Sequence, residues 1–226
     1  MTDQATYLDA VRAVLHHLEE TQQEAIARAA DAIVGAVRNG GAVFCTGIGH
    51  GIDHDFTHRA GGLALVKPLA FDFTLDDSVA DCRRERPRPE PVSRLRETVR
   101  LALRCGNVRA GDVVLIGSVS GRNERPVELA LGCRDFGVTT IGFTSMAYTA
   151  TVASAHPSGK RLFEAVDVVI DNGAPYGDAA VSIPGYDIAL MPLSGVAATV
   201  GGWLVWGRAM ELMAARGKPA SVFMSL

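Results

Sequence analysis

The stretch that most restricts what this chain can fold into runs from Asp112 to Asn123, where an apolar strand meets a glycine and two hydroxyls before a helix begins. Val113-Val114-Leu115-Ile116 has no polar side chain, as expected of a strand buried on both faces. Gly117-Ser118-Val119-Ser120-Gly121-Arg122-Asn123 ends it, and Glu124 to Ala130 reads as a first helical turn with an acid and an early proline, Pro126. At such a junction, free N–H groups, the positive end of the helix dipole and the hydroxyls of Ser118 and Ser120 can hold an anion. The plainer alternative is that the two serines only cap the helix.

Two further junctions have the same character. Gly41-Ala42-Val43-Phe44-Cys45 ends in Thr46-Gly47-Ile48-Gly49-His50-Gly51, where glycines permit close approach of a ligand, and Ile52 to Ala60 can be helical. Val138 to Phe143 ends in Thr144-Ser145, again a pair of hydroxyls where a strand stops. In a parallel sheet all such junctions lie along the carboxyl edge, so three of them can converge on one crevice.

The series Thr46-Gly47-x-Gly49-His50, Arg59-Ala60-Gly61-Gly62-Leu63-Ala64, Ser118-x-Ser120-Gly121-Arg122-Asn123, His156-Pro157-Ser158-Gly159-Lys160-Arg161-Leu162 and Asp167 to Gly173 resembles the sugar isomerase (SIS) domain superfamily. More narrowly it is similar to stand-alone bacterial SIS proteins described as phosphosugar or phosphoheptose isomerases, and the likeness runs from the first helix to the last. It implies a three-layer α/β sandwich of flavodoxin-like type, with a five-stranded parallel sheet flanked by helices. It further implies a sugar phosphate ligand at the carboxyl edge and a homodimer or homotetramer. Carried over, the phosphate-binding hydroxyls fall on Ser118 and Ser120 with support from Thr144 and Ser145, and the first glycine loop on Thr46, Gly47 and Gly49. The chain departs from the group where Gly51 follows His50 in place of a serine, and where Asp55, in a shortened segment, stands nearest the group's glutamate.

Length and composition agree. A chain of 226 residues, 48% hydrophobic, can bury one substantial core, so residues 1–226 are expected to form a single SIS domain. Within it, a helical region covers 5–39 and a packing helix covers about 194–215. The formal charge of −3 gives no basic field for nucleic acid, and no nucleic-acid-binding module is appended. The start shows no leader pattern. The nearly uncharged run from Ser194 to Met213 is long enough to span a bilayer, but its glycines and Thr199 favour a buried or subunit-packing helix. The expectation is a cytoplasmic protein with no membrane or nucleic-acid partner. Cys45, Cys82, Cys105 and Cys133 are widely spaced and read as free buried thiols.

Thr21 and Glu24 fit a capping box that restarts a helix, giving two helices or one kinked helix before Asn39-Gly40-Gly41. A second strand is expected from Leu63 to Phe71 and a helix from Val92 to Arg104. The Arg- and Pro-rich stretch from Cys82 to Pro91 is a loop, read as a solvated linker or as a lid for an anionic substrate. His50, His54 and His58 recur every fourth residue, so a helix from Gly49 to Ala60 aligns them on one face beside Asp53 or Asp55. The outer two are about 12 Å apart along such a helix, which leaves His54 and His58 as the pair for a divalent metal. Polar-face or interface histidines are the alternative, and the reaction itself requires no cofactor. His16 and His17 are expected to face solvent or a partner.

For an aldose–ketose phosphate isomerase working through an enediol, the carboxylate and imidazole groups are the proton carriers. Asp55 is the expected base, His156 the ring-opening or shuttle acid in a mobile loop, and His50 the group that polarises the carbonyl. Ser118, Ser120, Gly121, Arg122, Asn123 and Lys160 hold the phosphate. Two other readings keep the pocket: a phosphosugar sensor without turnover, or a lyase or etherase acting on an amino-sugar phosphate. Asp178 is expected in a plain turn, with capping or a sugar hydroxyl contact as the alternative.

Overall fold

The computed structural model describes residues 3–49, 53–87 and 93–225. Two helices lead: α1 (Asp3–Thr21) and α2 (Gln23–Arg38). The chain then alternates through β1 (Val43–Gly49), α3 (Asp53–Phe56), β2 (Val66–Leu69), α4 (Arg94–Cys105), β3 (Val113–Gly117), α5 (Glu124–Asp135) and β4 (Thr139–Thr144). It continues through α6 (Met146–Thr149), α7 (Leu162–Ala165), β5 (Val168–Asp171), β6 (Ala179–Val181), β7 (Leu190–Pro192) and α8 (Ser194–Ala215). The main sheet has the order β2-β1-β3-β4-β5 and every pairing in it is parallel, as the junctions required. The chain leaves β1 for β2 on one side and returns to β3 on the other, so the strand order reverses between β1 and β3.

Each strand splits its side chains between two cores, because successive residues point to opposite faces. Val43, Cys45, Val113, Leu115, Ile141, Phe143, Val168 and Ile170 pack under α1, α2 and α8. Phe44, Val114 and Ile116 face Val99 and Leu103 of α4 and Val127, Leu129, Ala130 and Cys133 of α5. Asp112, 3% exposed, ties the amino edge: its carboxylate accepts the Ala42 N–H at 2.7 Å and the Arg109 N–H at 2.6 Å.

Several local expectations are corrected. The leading helical region breaks at Gln22, but no Thr21–Glu24 capping box forms; Thr21 Oγ1 donates to the His17 carbonyl, and Gln22 Oε1 accepts the Asp171 N–H. The helix expected through Ala60 is a single turn ending at Phe56, and His58 sits in the left-handed region at φ 60°. That ends the histidine stripe. The second strand shortens to four residues, and the β6–β7 antiparallel pair carried no signal that the sequence reading recognised. Asp178 is a cap: it accepts the N–H of Ser194 at 2.8 Å and of Leu193 at 3.3 Å, and the Ser194 hydroxyl at 2.5 Å. Its carboxylate thereby offsets the positive end of α8. Cys82 and Cys105 are exposed, so only Cys45 and Cys133 are buried.

Among the described residues no helix is long and apolar enough to cross a membrane. The buried face of α8, with Ala197, Ala198, Gly201, Gly202, Val205, Trp206 and Ala209, is made small where neighbours come close. A methyl built at Gly202 would fall inside the Phe56 ring, the anchor of α3. Gly202→Ala is therefore expected to destabilise the protein by about 1–3 kcal/mol. Phe56→Leu in the same chain should return part of that loss, as read from urea denaturation; additive losses in the double variant would contradict the contact.

Candidate functional site

Four of the five strand ends along the carboxyl edge build the site. At β1, Thr46 is buried and Gly47 exposed, and a Cβ at Gly47 would lie 3.1 Å from Asp53 Oδ1. That oxygen is buried and has no hydrogen-bond partner among the described residues. Gly49 is in register with Gly117 of β3, so the two loops start side by side at the strand-order reversal. The Cys45 thiol is pushed far up, first by burial and then by the charge of Asp53. Sequence reasoning placed Asp53 only as a neighbour of the histidines; its position opposite a glycine at the strand end was the available signal. His50 lies outside the described residues.

At β3 the chain leaves the sheet through Ser118, whose N–H donates to the Phe143 carbonyl at 2.9 Å. Gly121 has φ 61°, and a Cβ there would stand 3.0 Å from Thr144 Oγ1 and 3.1 Å from Thr149 Oγ1, so both conformation and space call for glycine. Ser120 Oγ is at most a weak acceptor from the Arg122 N–H, at 3.5 Å. Asn123 precedes α5 without a side-chain capping bond, which leaves the first N–H groups of a 12-residue helix uncapped from that side. A cavity of about 20 Å³, the room of one water, lies between Gly117, Ser118, Phe143, Asn172 and Ser194.

Thr144, the last residue of β4, and Ser145, which caps α6, are buried and occupied. Thr144 Oγ1 donates to the Val119 carbonyl at 3.1 Å; Ser145 Oγ donates to Ala174 O at 2.5 Å and accepts the Tyr148 N–H at 3.0 Å. They shape the Ser118–Gly121 turn from below. At β5, Asp171 Oδ1 accepts the N–H groups of Met146 and Gly173, and Oδ2 lies 3.1 Å from His17 Nε2. This His17–Asp171 pair at the strand end was missed because its members are 154 positions apart.

Other expected residues lie differently. Asp55 is 43% exposed on its side chain and held by the Thr199 hydroxyl at 3.1 Å and by Arg59 at 3.3 Å. His54 is exposed, and the His58 ring stands 5.4 Å from that of Phe223. Among the described residues, the only three-membered group of metal-ligating side chains within reach of one ion is His16, Glu19 and Glu20, all exposed on α1. His156 is not a free group in a mobile loop: it is buried against Glu128 of α5, with Nε2 2.8 Å from Oε2. Its loop nevertheless abuts the serine turn, because the Ala155 N–H donates to Arg122 O and the Leu162 N–H to Gly121 O. Lys160 on that loop and Arg122 are exposed and make no ion pair among the described residues.

The family profile of the SIS domain matches residues 6–145. A UPF0309 protein of Halalkalibacterium halodurans is 39% identical over 178 residues, covering 77% of this chain and 71% of its own. A UPF0309 protein of Streptomyces avermitilis is 34% identical over 213 residues, with 93% and 83% covered. Among solved structures, the phosphoheptose isomerase of Neisseria gonorrhoeae superposes with a TM-score of 0.56 at 15% identity, covering 93% of this chain and 96% of that one. The phosphoheptose isomerase of Francisella tularensis does so with a TM-score of 0.54 at 17% identity, covering 91% and 95%. At such identities the likeness establishes the fold.

The cysteines give a direct check on the packing beside the site. Burial, with the Asp167 charge added, pushes the Cys133 thiol up to about 12. A thiol-reactive disulfide reagent at pH 8 should therefore titrate two thiols per chain rapidly, Cys82 and Cys105, and the remaining two only after unfolding. Four fast thiols would contradict the burial of Cys45 and Cys133.

Proposed function

The chain belongs to the SIS domain family, and from that premise we propose that it binds a sugar phosphate across the β1–β3 crevice and interconverts its aldose and ketose forms through an enediol. The observation that carries this reading is the pairing, at adjacent strand ends, of a helix start without a side-chain cap, flanked by Ser118 and Ser120, with the buried Asp53 oxygen that has no hydrogen-bond partner among the described residues. The phosphate would meet the N–H groups at the start of α5, the positive helix end and the Ser120 hydroxyl, with Arg122 and Lys160 adding charge. This binding energy is remote from the reacting carbon. The sugar would then extend toward β1, where Gly47 lets its backbone come close. There Asp53, in preference to the tethered Asp55, takes the proton next to the carbonyl and returns it to the neighbouring carbon. Atoms balance without any co-reactant, since one proton moves between the two carbons, a hydroxyl proton moves between their two oxygens, and the carbonyl changes place through the enediol.

A second reading, a phosphosugar sensor without turnover, is favoured by one observation. Two of the expected proton carriers are engaged elsewhere, His156 by Glu128 and Asp55 by Thr199 and Arg59. For assembly we propose a homodimer or homotetramer. Support comes from Leu8 on α1 and Val196 and Leu204 on α8, large apolar side chains exposed on the helices that cover one face of the sheet.

Screening sugar phosphates by thermal shift tests the ligand class, because a compound that binds only the folded chain raises its melting temperature. At least one should stabilise the protein, and Ser120→Ala should weaken its binding by about 1–3 kcal/mol, with Ser118→Ala less severe. Unchanged affinity in both variants would remove the phosphate cradle. Solvent deuterium should enter the bound sugar phosphate with the parent chain and not with Asp53→Asn, whose affinity stays within about tenfold. Exchange by Asp53→Asn at the parent rate returns the role to Asp55; no exchange by the parent with any stabilising compound leaves the sensor.

A further inference from the structure

We propose that Glu128, His156 and Ser158 form a latch that sets the position of the Ser118–Arg122 turn, with His156 as a positioning residue for anion binding; this rests on the sugar phosphate reading above. The His156 ring has a fixed role at each nitrogen. Nδ1 lies 3.1 Å from the Ser158 backbone nitrogen, an N–H that can only donate, so Nδ1 accepts and the ring proton sits on Nε2. Nε2 then donates to Glu128 Oε2 at 2.8 Å, and Ser158 Oγ lies 2.8 Å from Nδ1. The side chains of His156 and Glu128 are only 8% and 12% exposed, which strengthens the bond by excluding water. Arg96 of α4, 3.8 Å from Glu128 Oε1, adds a cation behind the carboxylate.

The segment carrying His156 is knitted to itself and to the turn. Ser154 Oγ accepts the His156 N–H at 2.9 Å and donates to Lys160 O at 2.6 Å, and Ser158 Oγ accepts the Lys160 N–H at 3.2 Å. Lys160 therefore has its main chain held from both sides. At its two ends the segment donates to the serine turn, from Ala155 N to Arg122 O at 2.9 Å and from Leu162 N to Gly121 O at 2.8 Å. Glu128 lies one turn beyond the start of α5, the same helix whose N-terminus faces the anion. The latch thus closes a ring: the helix start, the serine turn, the 154–162 segment and back to the helix. Arg122 and Lys160, which make no ion pair among the described residues, sit on the two loops that the ring joins.

Amide hydrogen exchange in the ligand-free protein reads the latch directly. In His156→Ala, exchange at Ala155 and Leu162 should rise by at least about tenfold, while amides of the β3–β4 ladder keep the parent rate. Binding of inorganic phosphate and of fructose 6-phosphate, measured by titration calorimetry, should weaken by about tenfold in the same variant. His156→Gln, whose amide can donate to Glu128 in place of Nε2, should recover most of that affinity, a rescue that a merely space-filling role would not produce. Exchange at the parent rate in His156→Ala overturns the proposal, and so does faster exchange with unchanged phosphate affinity. A parent chain that binds neither probe overturns the sugar phosphate reading instead, and the exchange rates still decide whether the latch holds the turn. Should His156→Ala fail to fold, Glu128→Gln is read by the same two measurements.

Discussion

Everything at the carboxyl edge depends on the burial of β3. All five of its residues are buried, so each backbone N–H and C=O must find a partner in the sheet, and β1 and β4 supply them from either side. A strand in that position cannot slip by one residue, because the slip would exchange Val113 and Leu115 with Val114 and Ile116 between two different cores. The register in turn fixes where the strand stops, at Gly117, and places the Ser118 N–H on the carbonyl of Phe143. The serine turn is therefore set from below by packing, and its position owes little to its own side chains.

Around that fixed point, polar groups are divided between support and display. Thr144, Ser145 and Asn172 are buried and spend their hydrogen bonds on Val119, Ala174 and neighbouring backbone. Ser120, Arg122 and Asn123 are left at the surface, above the first N–H groups of α5. Gly121 joins the two sets; its left-handed backbone turns the chain from the buried layer to the displayed one, and its missing side chain leaves room for Thr144 and Thr149. Desolvating hydroxyls to hold a loop costs little when each is bonded. The same hydroxyls, unpaired, would compete for the anion.

The sheet and the ends of its strands were legible because they rest on local pattern: apolar runs of strand length, each ended by Gly, Ser or Thr and followed by helical spacing. The short length of α3 was not legible. His50, His54 and His58 have helical spacing, yet the segment is pulled out of helix after Phe56 by its own tail contacts, Gly61 N–H to Phe223 O and Phe223 N–H to Gly62 O. Pairings across the chain were invisible for a related reason: His156 of a loop meets Glu128 of α5, and His17 of α1 meets Asp171 of β5, only because the sheet brings distant parts of the chain together. Asp178 illustrates the middle case. A turn residue was expected there, and the structure makes it the cap of a helix that starts 16 positions later.

The cover of the sheet is assembled from both ends of the chain. Leu18 of α1 lies against Gly201 of α8, and α8 together with α2 closes the face that carries Val43, Leu115 and Ile141. During synthesis, β1 to β5 and the helices of the other face emerge first, while α8 is still within or near the ribosome. That apolar face must then wait for α8 before its cover is complete. The nascent chain passes through a stage in which its earliest helices, α1 and α2, are the sole shield over that face, a period of exposure to chaperones and to unwanted association. Small residues along α8 suit this order of events: a helix that arrives after the strands it covers has to slide into a gap they have already shaped.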